Sequence, residues 1–127
     1  MVLLDTDVMV DILRGYPPAL SWLESLDDEE IGLPGFVVME LIQGCRNKKE
    51  QQLVEKALAV YRILWPSPQD CDKALAVFAS AHLTSKLGIL DVLIGQTAVG
   101  LGEPLCTFNV KHYAAIPGLK TTQPYTR

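Results

Sequence analysis

Three carboxylates stand inside or beside apolar sequence. Asp5 follows the run Val2-Leu3-Leu4, Glu40 separates Phe36-Val37-Val38-Met39 from Leu41-Ile42, and Asp91 sits in Leu90-Asp91-Val92-Leu93-Ile94. Each has an ordinary explanation: Asp5 and Asp91 can cap helices, and Glu40 can pair with Arg46. Glu40 is the most telling, because Val37, Leu41 and Gly44 lie on its side of a helix at three- and four-residue spacing. An unpaired carboxylate in that setting is costly, so it has to be paired, protonated or bound to a metal. Taken together, the three define a chemistry. Carboxylates gathered in one pocket repel and cannot all ionise without a cation. Oxygen ligands favour Mg²⁺ or Mn²⁺ over zinc. Such ions bind phosphates and activate water, which is the chemistry of phosphodiester hydrolysis.

The elements that must position these groups are legible in the apolar pattern. Val2-Leu3-Leu4 is of strand length and apolar on both faces, as in a parallel sheet covered by helices. Helical spacing runs from Val8 to Leu13 and stops at Arg14-Gly15 and Pro17-Pro18. Leu20, Leu23 and Leu26, with Trp22, form a second amphipathic stripe. Ile31-Gly32-Leu33 reads as a second strand, and Pro34 suits the first turn of a helix reaching Gly44. A helix over 50–60, a strand over 61–65 and a long helix over 70–86 follow. An almost wholly apolar helix over 90–101 precedes a fourth strand over 104–107 and a short turn or helix over 109–113. The last residues, from Gly118-Leu119-Lys120 onward, read as a polar tail. Strands separated by helices predict an α/β three-layer sandwich with a mainly parallel central sheet, formed as one domain over residues 1–127. Ligands in such sheets bind beyond the carboxyl ends of the strands. Asp5 stands at such an end, and Thr107 and Asn109 follow the fourth strand at another.

Composition narrows the function. The 127 residues are 49% apolar and 20% charged, with a mean hydropathy of +0.20. A chain of this length buries a sizeable core without disulfides or a structural metal, and the composition argues against intrinsic disorder. Eleven Lys and Arg against fifteen Asp and Glu leave a net charge of −4, which excludes holding nucleic acid by bulk charge. A carboxylate pocket on such a protein repels a phosphodiester backbone unless basic side chains flank it, so Arg14, Arg46, Lys48, Lys49 and Lys111 are expected at its rim. The apolar runs Ile31–Glu40 and Ile89–Leu101 are too interrupted for a membrane span. No basic region precedes the first apolar run, so a signal peptide is not expected. Cys45, Cys71 and Cys106 are odd in number and widely spaced, which fits free thiols in a cytoplasm.

Four segments carry a family resemblance. Leu3-Leu4-Asp5-Thr6-Asp7-Val8, Val38-Met39-Glu40-Leu41-Ile42-Gln43-Gly44, Ile89-Leu90-Asp91-Val92-Leu93-Ile94-Gly95-Gln96-Thr97-Ala98 and Thr107-Phe108-Asn109-Val110-Lys111-His112-Tyr113 resemble the four motifs of PIN domains. The match is nearest to the VapC-type toxin ribonucleases and spans essentially the whole chain, in order. The resemblance implies a parallel sheet flanked by helices and a Mg²⁺- or Mn²⁺-dependent ribonuclease leaving a 5′-phosphate and a 3′-hydroxyl. It also implies a homodimer and a VapB-like antitoxin encoded beside it. By position, Asp5, Glu40 and Asp91 would be the metal-site carboxylates. Asn109 would join them in catalysis where many relatives carry Asp, with one negative charge fewer. Thr107 would orient a carboxylate or water by its hydroxyl, and Asp7, where many relatives carry Asn, would support the site.

Other polar residues have plainer readings. Lys111 and Arg46 are the candidates for contact with RNA phosphate. His82, in mid-helix, and His112 read as structural, Trp22 and Trp65 as packing residues, and Asp27 to Glu30 as a solvated loop. An antitoxin could insert an Arg or Lys among Asp5, Glu40 and Asp91, replacing the metal with a fixed cation.

Competing classes fit less well. The Asp5-Thr6-Asp7 triplet after a strand resembles haloacid-dehalogenase-like phosphatases, where the first Asp is a nucleophile, but the downstream Lys and paired acidic motif are missing. A response-regulator receiver needs a phosphoacceptor Asp after the third strand, and no Asp lies between Asp28 and Asp70. A PIN fold that binds RNA or a partner without cutting draws its support from Asn109.

Overall fold

The computed structural model describes residues 1–127. In chain order the elements are β1 (Val2–Leu4), α1 (Thr6–Leu13), α2 (Pro17–Ser25), β2 (Ile31–Pro34), α3 (Gly35–Gln43), α4 (Lys48–Leu58), β3 (Arg62–Leu64), α5 (Pro68–Ala81), α6 (Ile89–Leu101), β4 (Leu105–Cys106), α7 (Val110–Tyr113) and β5 (Thr121–Thr122). Leu3 and Leu4 of β1 are wholly buried, as expected of a central strand covered on both faces. All strand pairings are parallel, in the order β3-β2-β1-β4-β5.

That order decides where a site can form. The chain builds outward from β1 through β2 to β3, then returns to lay β4 and β5 on the other side of β1. The reversal lies between β1 and β4, and such switch points open a crevice beyond the strand ends. Leu3 is in register with Leu105 and Leu4 with Cys106, so Asp5 and Thr107 emerge side by side at the same edge.

Packing fixes the helices against the sheet. Helix α6 buries Val92, Ile94, Gly95, Gln96, Thr97 and Ala98, and it lies against α5, α3 and α7. Gly95 gives a close fit there, since a Cβ would push the end of the Ile116 side chain aside. Leu3, Leu4, Leu33 and Leu105 from the strands join Val8, Met9, Val37 and Leu58 from the helices in one core.

Several elements depart from the sequence expectation. Helix α1 begins at Thr6 because Asp5 caps it, and α4 begins at Lys48 because Asn47 Oδ1 accepts from the Glu50 N–H at 2.8 Å. Helix α5 begins at Pro68, where Ser67 and Asp70 form a capping box. It ends at Ala81, not at residue 86. The Ala81 carbonyl there accepts from the Thr84 and Ser85 N–H groups and the Thr84 hydroxyl, and Ser85 Oγ accepts from the Leu87 N–H, so the chain closes in turns in place of a continued helix. His82 is therefore the C-cap of α5, stacked on Phe78 at 5.2 Å.

The unexpected fifth strand comes from the tail: Leu105 N–H donates to the Lys120 carbonyl and Thr107 N–H to that of Thr122. A two-residue polar strand has no periodicity of its own to read. Trp65 is 56% exposed and not a core residue, although it meets Phe36 edge-on at 5.3 Å. The three cysteines are free, and no helix is long and apolar enough to cross a membrane.

Candidate active site

Asp5 stands at the switch point and is 4% exposed. Its Oδ1 accepts from the Thr6 N–H at 2.8 Å, the helix cap that its position suggests. Its Oδ2 accepts from the Thr107 hydroxyl at 2.7 Å, across 102 positions of sequence. Both partners are neutral, and no Lys or Arg forms an ion pair with Asp5. Burial, with Asp7 adding its charge, pushes the Asp5 carboxyl up to about 6, against the opposing hydrogen bonds from Thr107 and Thr6.

The neighbours of Asp5 are laced to it. Thr107 is wholly buried, and its Oγ1 also accepts from the Asn109 N–H at 3.0 Å. Asp7 accepts from the Val8 N–H at 2.8 Å and from the Phe108 N–H at 2.9 Å, which ties α1 to the loop after β4. Burial raises the Asp7 carboxyl as well. Thr6 links two acids, since its N–H serves Asp5 while its hydroxyl donates to Glu40 Oε1 at 2.8 Å.

Glu40 is half-buried, not enclosed in apolar surroundings as its sequence setting indicates; Met39 beside it is 54% exposed. Helix α3 is apolar nearly all round, and part of it faces outward. The Glu40–Arg46 pair does not form. Arg46, 86% exposed, pairs with Glu50 one helical turn away at 3.3 Å. Arg14 instead lines the cleft that Glu40 and Thr6 share. Lys48 and Lys49 are exposed at the start of α4 and do not line that cleft.

Asp91 is at the first turn of α6, where its Oδ2 accepts from the Gly88 N–H at 3.0 Å. Capping is therefore realised at Asp91 as it is at Asp5. Asp91 and Asp5 meet electrostatically at Tyr113, which is 2% exposed. Burial, then the charges of Asp5, Asp91 and Asp7, drive the pKa of this phenol upward. Its buried hydroxyl is turned toward the Asp5 carboxyl and opposes the rise of that group.

No three Asp, Glu, His or Cys side chains close on a single point. Asp5 and Glu40 are joined through Thr6. The donors are carboxylate and hydroxyl oxygens, which suit a hard divalent ion and not zinc. Asn109 is exposed at the lip of the site. With Lys86, Lys111, His112 and Gln123 it lines an adjoining cavity of about 560 Å³. The most apolar groove, about 340 Å³ between α5 and α6, has no polar chemistry.

Sequence reasoning missed Thr6, Tyr113 and Lys86. Thr6 was visible as a hydroxyl between two aspartates. Tyr113, four residues after Asn109, looks like any core aromatic, and Lys86 gives no local signal.

Comparisons with known proteins agree with this geometry. A family model for the PIN domain matches residues 2–116. Ribonuclease VapC19 of Mycobacterium tuberculosis is 34% identical over 125 residues, covering 94% of this chain and 98% of its own. Ribonuclease VapC10 of the same organism is 30% identical over 124 residues, covering 94% and 91%. Among solved structures, a toxin-antitoxin complex from Klebsiella pneumoniae has a TM-score of 0.79 at 26% identity, with 100% of both chains covered. VapBC2 from Rickettsia felis, bound to a DNA fragment from its promoter, has a TM-score of 0.79 at 22% identity, covering 96% and 98%; it speaks for the fold alone. From its four motifs, its parallel sheet and these matches, the chain belongs to the PIN domain family.

Proposed function

We propose that this protein is a divalent-metal-dependent endoribonuclease, the toxin of a type II toxin–antitoxin pair, hydrolysing RNA phosphodiester bonds. One observation carries the reading: Asp5 is buried at the switch point, held by Thr6 and Thr107, and given no protein cation. The ribonuclease names of its VapC relatives point the same way.

Asp5, Glu40 and Asp91 would hold Mg²⁺ or Mn²⁺. When bound, the ion supplies Lewis-acid activation of the attacking water and offsets charge on the phosphate. The chain's own residues do the rest. Thr107 fixes the rotamer of Asp5, and Thr6 keeps Asp5 and Glu40 in a constant relation. Asp7 anchors the loop that carries Asn109 by accepting from the Phe108 N–H. Asn109 contributes an amide at the lip, able to donate to a phosphate oxygen without adding negative charge.

Lys111, with Lys86 and His112 in the same cavity, offers the RNA backbone a cationic path beside an acidic site. Arg14 serves the opposite rim, while Arg46, tied to Glu50, has the weaker claim. The partners are an RNA substrate, a VapB-like antitoxin and a second copy of the chain, in a cytoplasmic setting. Solved complexes of its structural relatives include toxin–antitoxin pairs.

The test is cleavage of end-labelled RNA by the purified protein. Cleavage with added Mg²⁺ or Mn²⁺, leaving 5′-phosphate ends and ceasing with a chelator, is the expected result. RNA binding without cleavage in either ion would instead establish the non-catalytic module.

A further inference from the structure

The segment after β5 does more than extend the sheet. Thr122 accepts from the Thr107 N–H at 3.0 Å, and beyond it Tyr125 and Arg127 turn back over Phe108. The Tyr125 ring meets Phe108 edge-on at 4.9 Å, and the Arg127 guanidinium lies 4.4 Å over the centre of the same ring. Both side chains continue to α1. The Tyr125 hydroxyl donates to Asp11 Oδ2 at 2.8 Å, and Arg127 donates to both Asp11 oxygens, at 3.0 and 3.2 Å. Arg127 Nη2 also donates to the Asp7 carbonyl at 3.3 Å.

Phe108 stands between Thr107, which holds Asp5, and Asn109 at the lip of the site. This loop is therefore tied to α1 twice. From inside, Asp5 accepts from the Thr107 hydroxyl and Asp7 from the Phe108 N–H. From outside, Tyr125 and Arg127 grip the Phe108 ring and connect it to Asp11. The inner bonds fix Thr107 and the backbone of Phe108, whereas Asn109 is exposed. An exposed loop residue keeps a working geometry only when its neighbours are locked. Simple packing of a terminal segment would not require two side chains to converge on one loop residue and one aspartate.

We propose that Tyr125 and Arg127 form a strap of positioning residues, which clamps Phe108 against α1 and so sets Asn109 in relation to Asp5 for RNA cleavage. This rests on the reading of Asp5 and Asn109 as parts of a ribonuclease site.

The experiment compares the unaltered protein with a variant carrying Tyr125→Ala and Arg127→Ala. It measures amide hydrogen exchange by NMR, Mn²⁺ affinity by calorimetry without RNA, and steady-state RNA cleavage. Exchange at the Phe108 and Asn109 N–H groups should accelerate about 10-fold more than at Leu4 and Leu105 in the central strands. The constant kcat should fall on the order of 10-fold, with KM for RNA and Mn²⁺ affinity unchanged, because the loop is loosened while the carboxylates keep their inner hydrogen bonds. Replacing Tyr125→Ala by Tyr125→Phe in the same variant restores the ring on Phe108 and should recover most of the lost kcat. If the double variant does not fold, Arg127→Ala alone, which leaves the aromatic contacts in place, should shift exchange and kcat in the same directions by a smaller amount. Exchange that rises equally in the loop and the central strands would overturn the proposal and leave the strap a general stabiliser, as would faster loop exchange with kcat unchanged. An unaltered protein that cleaves no RNA would overturn the ribonuclease reading and with it the catalytic role of the strap, and the exchange rates would then report separately on whether the loop is clamped.

Discussion

The two ends of α1 treat the same side chain in opposite ways. At its start, Asp5 is buried and Asp7 half-buried, and both are satisfied by neutral donors, from Thr6, Val8, Thr107 and Phe108. Both carboxyls are pushed up. One turn beyond Asp7, Asp11 is gripped by Arg127, with Nε at 3.0 Å and Nη2 at 3.2 Å, and by the Tyr125 hydroxyl at 2.8 Å. Its carboxyl is pulled down, chiefly by the Arg127 hydrogen bond.

The difference is one of charge cancellation. Hydrogen bonds from N–H and O–H groups fix where a carboxylate points, but only a cation removes its charge. The fold places a guanidinium at Asp11 and withholds one from Asp5. Arg127 even reaches the Asp7 carbonyl at 3.3 Å and lies 4.4 Å over the Phe108 ring, so it borders the first cluster without neutralising it. Asp11 reads as structural, and Asp5 as a group awaiting a cation from outside.

The sharpest way to break this contrast is Asp5→Asn, which removes the charge at nearly constant volume. RNA cleavage should fall by at least about 100-fold, or about 2.7 kcal/mol of transition-state stabilisation. Metal-free thermal stability should hold or rise. Full activity in this variant would end the assignment of Asp5 as a metal ligand.

A pH series in metal-free buffer sharpens it next. The Asp5 carboxyl lies at about 6 in the fold against 3.8 as its ordinary value, so the folded state binds the proton more tightly than the unfolded chain. Its ionisation therefore costs stability progressively as pH rises from about 4 to 6, by on the order of 3 kcal/mol in all. Raised Asp7 acts in the same direction, and lowered Asp11 in the opposite one at more acidic pH. Urea midpoints of the unaltered protein should drop between pH 4.5 and 7 relative to those of Asp5→Asn, and Mn²⁺ should flatten the trend. Parallel pH profiles for the two proteins would show that Asp5 carries no such strain.

The smallest effect belongs to the other end of the helix. Arg127→Ala removes a half-exposed ion pair and a cation–π contact, a loss of about 0.5–1 kcal/mol. Mn²⁺ affinity should not change. A clear loss of affinity would make Arg127 part of the site and dissolve the contrast between the two aspartates.

Local sequence was sufficient wherever a short-range pattern decides the outcome. Val2-Leu3-Leu4 followed by Asp5 announces a buried parallel strand ending in a polar cap, and the almost wholly apolar stretch after Asp91 announces a central helix. The candidate acids were visible for the same reason, since a carboxylate beside an apolar run needs accounting for. Helix ends were less legible: Ser67 and Asn47 set two starts, and the hydroxyls after Ala81 cut α5 short.

What the chain determined by itself is therefore the type of its elements and the identity of its unusual acids. Both follow from the polarity of residues within a turn or two of one another. Only the tertiary structure decided which acids go uncompensated. Arg46 stands six positions from Glu40 yet pairs with Glu50, whereas Arg127 crosses 116 positions to reach Asp11. The strand Thr121–Thr122 exists because β4 presents an edge to it. Tyr113 meets Gly95 only because α7 packs on α6. Charge, hydrogen bonding and desolvation act through space, and the fold, not the spacing along the chain, sets those distances.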